Sequence, residues 1–261
     1  MSAAPGTVPA DARGAAISLG QVTAGYVPGQ PILSGLTITG ETGKVTVILG
    51  PNGSGKSTTL RVLAGLLRPR AGEVRIRFGA EETDLLPVAA HERARYRIGY
   101  LTQGHSVFPG MTVHDNLMIG AWPVRRDRHR AEGAISAVYD RYPELRKRRK
   151  SLAGSLSGGQ QRILEVARLL VPDPAVVLVD EPSAGVAPAI AAAMYAELRG
   201  LRDEGRTVVL VDQDVRSALA IADTVYTLRS GRNDRHGPTA EFSGDVGGLA
   251  RGWLSVPGEN A

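Results

Sequence analysis

The 261-residue chain contains no cysteine. That excludes disulfides, thiolate metal sites and a cysteine nucleophile together, and it fits a reducing compartment. Aromatic residues are scarce, at 5% of the chain. The two basic stretches, RRDRHR (Arg125–Arg130) and RKRRK (Arg146–Lys150), have no interleaved aromatics. Stacking platforms for single-stranded nucleic acid need such residues, so nucleic acid is not an expected partner. The basic stretches read as a solvated helix face and a loop, in preference to a nucleic-acid or lipid patch. No apolar run approaches the roughly 18–20 residues that span a bilayer. The opening MSAAPGTVPADARGA lacks the basic-then-apolar order of a signal peptide and reads as a disordered tail over residues 1–15. The expectation is a soluble cytoplasmic chain whose membrane role, if any, passes through partners.

What is present is a globular composition, with 43% hydrophobic and 22% charged residues and a net charge of +5. Apolar strand-like runs fall at Ala16–Val22, Leu36–Thr39, Val45–Leu49, Glu73–Phe78, Ile98–Leu101, Ala175–Val179, Thr207–Val211 and Thr224–Leu228. Helical patterns fall at Lys56–Leu67, Ala131–Tyr142, Gly159–Val171, Pro188–Glu204 and Val215–Ala222. Continuous apolar strands alternating with helices predict an α/β fold with a mostly parallel sheet covered on both faces. The shorter, more polar early strands predict an antiparallel β edge layer. Residues 104–155 carry helical segments without a strong strand, which predicts an inserted α-helical subdomain within a unit spanning 16–261.

Chemistry concentrates at GPNGSGKST, which comprises Gly50, Pro51, Asn52, Gly53, Ser54, Gly55, Lys56, Ser57 and Thr58. It fits G-x-x-x-x-G-K-[ST] between an apolar strand and a helix, the context a phosphate loop requires. The glycines let the backbone turn its N–H groups inward around a phosphate chain. The following helix adds free N–H groups and a positive dipole end. Lys56 supplies a point charge for the β- and γ-phosphates, and the Ser57 hydroxyl is a ligand for Mg²⁺. Far downstream, Val176–Val179 runs into Asp180 and Glu181. Parallel strands deliver ligand groups at their carboxyl ends, so Asp180 is a candidate for the Mg²⁺ shell and Glu181 for polarising an attacking water. A third stretch, Leu156-Ser157-Gly158-Gly159-Gln160, opens another helix and forms a second anion site. Two such sites in one chain predict a dimer in which each copy closes over the other's ATP.

The three stretches, in this order and spacing, resemble the ATP-binding subunits of ABC transporters, over about Ala16 to Leu254. The resemblance implies a P-loop NTPase that hydrolyses ATP with Mg²⁺. It implies that Tyr26, 24 residues before Gly50, stacks on adenine. It implies that Gln103 contacts Mg²⁺ and senses the membrane partner, and that Ser157, Gly158, Gly159 and Gln160 meet nucleotide across the dimer. The segments QGHSVFPGMTVHDNL, RRKSLAGSLSGGQQ and DEPSAGVAP are similar to the branched-chain or hydrophobic amino-acid importers, with urea and short-chain amide importers close behind. That branch implies a paralogous or identical ATPase partner, two integral permease subunits and an external solute-binding protein. It also implies a peripheral place on the inner face of the membrane. Two positions depart from the general pattern. Gln213 stands where a switch histidine is usual, and it can hydrogen-bond a γ-phosphate without carrying charge. Val186 stands where an aspartate is usual. The five histidines (His91, His105, His114, His129 and His236) show no ligand spacing, so no further metal is expected. A non-transport ATPase of the iron–sulfur assembly type is the rival reading. Coiled-coil DNA-maintenance versions fit poorly, because only 100 residues separate Lys56 from Leu156.

Overall fold

The computed structural model describes residues 14–104, 106–242 and 244. In chain order the strands are β1 (Ala16–Ala24), β2 (Leu33–Gly40), β3 (Val45–Leu49), β4 (Ala71–Phe78), β5 (Glu81–Asp84), β6 (Ile98–Leu101), β7 (Val176–Asp180), β8 (Thr207–Val211), β9 (Thr224–Arg229) and β10 (Arg232–Pro238). The helices are α1 (Lys56–Leu63), α2 (Val113–Gly120), α3 (Arg128–Arg141), α4 (Pro143–Lys147), α5 (Gly158–Leu170), α6 (Pro188–Asp203) and α7 (Val215–Leu219). Most of the expected N-terminal tail lies outside the described residues. Its last residue, Ala15, is buried.

Strands β3, β7 and β8 are buried at every position, the mark of a strand covered on both faces. They form the middle of a six-stranded sheet ordered β10-β9-β3-β8-β7-β6. All its pairings are parallel except the edge pair β9–β10. Alternation along each strand splits the interior into two cores. Val47, Leu49, Val177, Val179 and Leu210 face one core, built with α2, α3, α5 and α6. Ile48, Val176, Leu178 and Val209 face the other, built with α1 and an antiparallel sheet ordered β2-β1-β4-β5. Each fully buried aliphatic side chain contributes about 1.5–3 kcal/mol of transfer free energy. The second face is thus covered largely by strands.

Two strands go beyond the sequence expectation. β5 and β10 are almost wholly exposed, so they carry no apolar alternation and are held by backbone pairing at sheet edges. Helix α1 stops four residues short of the expected Leu67. Gly65 adopts φ 75°, its N–H donates to Val62 O at 3.0 Å and Leu66 N–H donates to Arg61 O at 2.8 Å. This is a Schellman closure. The buried Arg93 guanidinium donates to the carbonyls of Val62 and Leu63 there, and burial pushes its pKa down to about 10. The unpredicted α2 begins on a capping box, in which Thr112 and Asp115 each accept from the other's backbone N–H. The T-x-x-D spacing in TVHD is its sequence signal.

Candidate functional site

The phosphate-type loop leaves the carboxyl end of β3 at the centre of the parallel sheet. Two of its glycines leave no room for a side chain. Gly50 has φ 155° and Gly55 has φ 101°. An added Cβ would fall 2.5 Å from Leu228 O at Gly50 and 2.6 Å from Leu33 Cδ2 at Gly55. Helix α1 then starts with no side-chain cap, which leaves its first N–H groups without the usual local acceptor. Lys56 is 5% exposed. Its Nζ donates to Gly50 O at 2.8 Å and Pro51 O at 3.1 Å. Burial lowers the pKa of the ammonium, and the charges of Glu181, Asp180 and Asp212 oppose that shift. Ser54 Oγ is buried in the same loop with no hydrogen-bond partner. A cation, uncapped N–H groups and an unpartnered hydroxyl on one curve fit a phosphate chain.

Two neighbouring strands bring carboxylates to this loop. Asp180 ends β7, and the next residue, Glu181, turns left-handed at φ 48°, a conformation that costs a side-chain-bearing residue of order 1–3 kcal/mol. The turn is held by Glu181 N–H donating to Val211 O at 2.8 Å. It separates the two side chains. Asp180 Oδ1 accepts from Ser57 Oγ at 2.9 Å, and Oδ2 accepts from Tyr100 OH at 3.0 Å. Glu181 Oε2 accepts from Gln103 Nε2 at 2.6 Å, and Oε1 accepts from Gln213 Nε2 at 2.8 Å. The residues Lys56, Ser57, Gln103, Asp180, Glu181 and Gln213, read from four separate stretches, therefore meet at one place. An oxygen pair from Ser57 and Asp180, with Gln103 held on the adjacent Glu181, offers hard oxygen donors of the kind that suit Mg²⁺.

The other predicted residues stand apart. Tyr26 is 50% exposed. Its hydroxyl accepts from Arg61 Nη1 at 2.6 Å, and that guanidinium lies 5.8 Å from the ring centroid. Ser157 and Gln160 form a capping box at the start of α5, with contacts of 3.1 and 3.4 Å. Ser157 and Gly158 are exposed. Among the described residues no hydrogen bond joins the Ser157–Gln160 stretch to the phosphate-type loop.

Sequence reasoning missed three supports. Asp212, 1% exposed, accepts from Ser183 Oγ at 2.6 Å, Tyr195 OH at 2.7 Å, and the N–H groups of Gln213 and Asp214 at 2.6 and 3.1 Å. Its signal was an acid at the end of a buried parallel strand, the same cue that singled out Asp180. Tyr100, whose ionisation is pushed up by burial and by Asp180, lies on β6 in plain sight but gains meaning only across the sheet. The third is a lacing of the segment after Gln103 onto α5. Arg162 donates to Gly104 O at 3.1 Å and pairs with buried Glu165, which accepts from Ser106 N–H. Arg168 reaches Ser106 O at 2.8 Å.

A profile described as "ABC transporter" matches residues 33–184. Over 76% of this chain and 82% of its own length, a probable branched-chain amino acid transport ATP-binding protein, LivF of Archaeoglobus fulgidus, is 40% identical. The lipopolysaccharide export ATP-binding protein LptB of Escherichia coli is 34% identical over 83% of this chain and 88% of its own. Among solved structures, an ATP-binding cassette of an ABC transporter in its ADP conformation superposes with a TM-score of 0.79 at 26% identity, covering 93% of this chain and 99% of that one. The chain is accordingly a member of the ABC transporter family, an ATP-binding cassette whose activity is ATP hydrolysis.

Proposed function

We propose that the chain energises an importer of branched-chain or other hydrophobic amino acids, as one of two cassettes beneath two membrane permease subunits. The observation that carries the chemical part is the convergence of Lys56, Ser57, Asp180, Glu181, Gln103 and Gln213 at the loop after β3. Lys56 holds the β- and γ-phosphates of ATP, and Tyr26 stacks on the adenine. Ser57, Asp180 and Gln103 hold Mg²⁺, which neutralises charge on the phosphate oxygens. Glu181 orients the attacking water, and its two amide partners fix the carboxylate. In this reading Gln213 also hydrogen-bonds the γ-phosphate. Ser157–Gln160, with Ser157 and Gly158 exposed, completes the site of a second copy or a paralogue. ATP thus draws two copies together, and hydrolysis releases them. Among the described residues no helix is long and apolar enough to cross a membrane, so in this reading the chain acts peripherally on the inner face through its permeases.

The solute class is supported by similarity to LivF and to the BraG branched-chain amino acid ATP-binding protein of Pseudomonas aeruginosa, which is 37% identical over 74% of this chain. The 34% identity to LptB favours lipid export as the second reading. Glu181→Gln tests the chemistry. Hydrolysis falls by about 100- to 10,000-fold, the range for a lost general base, and an ATP-bound dimer accumulates on size exclusion. Unchanged turnover removes Glu181 from this role. Co-purification from native membranes, then ATP-driven uptake of leucine against urea, tests the solute. Urea uptake alone, or recovery of lipid-export subunits, replaces the amino-acid reading.

A further inference from the structure

The two basic stretches, alike in sequence, part company in the structure. In the second, Arg146 donates to Asp140 at 2.7 Å and lies 5.9 Å from the Tyr139 ring, while Lys147 pairs with Glu144 at 2.6 Å. Both cations occupy the last turn of α4, the end that favours positive charge. Arg148, Arg149 and Lys150 beyond it have no ion pair among the described residues and line neither of the clefts described below. The first stretch lies at the other end of a helix. Arg128, His129 and Arg130 open α3, where the helix dipole opposes cations. Arg128 is paired with Glu132 at 2.9 Å. No ion pair engages Arg126 or Arg130 among the described residues. Of the two acids nearby in sequence, Glu132 is held by Arg128, and Asp127, which borders the second cleft described below, accepts the Arg130 N–H at 3.0 Å.

These arginines line two adjoining clefts of about 410 and 230 Å³. Arg95, Pro123, Val124 and Arg130 border both. Arg125 and Arg126 border the second. Arg95 has only a loose contact, 3.7 Å from Glu92. Asp173, on the wall of the first cleft, is already committed to Arg97 and Arg206 at 2.7 and 2.8 Å. The rim continues through Pro123 to Trp122, which is 64% exposed with the Arg125 guanidinium 3.9 Å over its ring. Beyond it lies a groove that includes Leu66, Ile119 and Leu169. Gathering unpaired like charges in a concavity is unfavourable unless an anion joins them. An exposed indole beside several arginines is the arrangement found at the level of lipid head groups.

We propose that the Arg95–Arg126–Arg130 cleft, with Trp122 at its rim, docks on the phosphate head groups of an anionic phospholipid surface. The proposal deepens the peripheral-membrane reading above by naming a second, lipid partner beside the permeases. The shape of the patch argues for a surface over a free ion. Its cations spread along a rim that ends in an exposed indole, whereas a single phosphate needs only one enclosed cradle.

The test is sedimentation of the whole chain with vesicles of phosphatidylcholine mixed with phosphatidylglycerol, against vesicles of phosphatidylcholine alone. Binding is expected to the mixed vesicles only and to weaken with added salt. An arginine near an anionic surface is worth about a five-fold gain, so R126Q/R130Q weakens binding by about 30-fold. R146Q/K147Q changes it by less than about two-fold, because its cations are already paired. ATP hydrolysis by R126Q/R130Q in solution matches the unmodified chain, which certifies folding. In a W253F background Trp122 is the sole tryptophan of the two in the sequence. Its emission shifts to the blue with mixed vesicles and does not shift in R126Q/R130Q. Equal binding to both vesicle types, or R126Q/R130Q binding like the unmodified chain, overturns the proposal. So does pyrophosphate bound through these arginines in solution without vesicle binding. Any of these results, with permease subunits still co-purifying, leaves the importer reading standing.

Discussion

The chain carries two helix starts suited to anions, and their surroundings differ. At the start of α1 the loop is buried, Lys56 is folded inward, and no side chain caps the helix. At the start of α5 the stretch is exposed, and Ser157 and Gln160 cap it reciprocally. The first start leaves its donors open and surrounds them with groups from β6, β7 and β8. The second satisfies its own donors, and among the described residues no hydrogen bond ties it to the first. The first is therefore organised around a ligand held within the fold. The second is a finished surface that waits for a ligand presented from outside. That difference is what the proposed sharing of a site between two copies rests on.

The largest expected effect strikes the first start. Lys56→Ala removes a fixed charge from the phosphate chain, and hydrolysis falls by about 100- to 1,000-fold, the usual loss for one electrostatic stabiliser. Equilibrium binding of ATP to the isolated chain weakens as well. Next comes Gly159→Asp, which sets a carboxylate where a second copy's phosphate would approach. Like charges across an interface cost several kcal/mol, so hydrolysis falls by about 100-fold. The discriminating measurement is nucleotide binding to the monomer at high dilution, which stays unchanged. If Gly159→Asp weakens monomer binding as Lys56→Ala does, the two starts belong to one site and the contrast fails. The smallest effects concern capping. Ser157→Ala removes a cap hydrogen bond and costs about 1 kcal/mol of stability, a drop in Tm of roughly 2–4 °C for a chain of this size. Ser54→Ala removes a buried hydroxyl that has no partner, so its thermal midpoint holds or rises. Equal losses from both substitutions would show that the capping asymmetry is not real.

Much of this was legible in the sequence, for identifiable reasons. β3, β6 and β8 match their expected bounds because uninterrupted apolar runs leave no other reading. Lys56, Ser57, Asp180 and Glu181 announced themselves because strand ends and glycine turns are local signals. β5 and β10 were hidden, since an exposed edge strand has no hydrophobic period to detect. The end of α1 was passed over although Gly65 is a local stop signal; only the support from Arg93, 30 residues after Leu63, was out of reach of local pattern. Tyr100 and Asp180 lie 80 residues apart in the chain, and no local pattern records that adjacency. Asp212 was visible but passed over beside Gln213. Its partners on α6 and in the loop after β7 appear only once the sheet is assembled.

That carboxylate has a mechanical consequence. Through Asp212, the Gln213 backbone, the Ser183 hydroxyl and the Tyr195 phenol share a single pivot. None of the three can swing away alone without stranding a desolvated oxygen or a proton it had been offered. Displacing the Gln213 backbone therefore disturbs a contact made midway along α6, a 16-residue helix. A long helix is thus pinned at its midpoint to the residue beside Gln213.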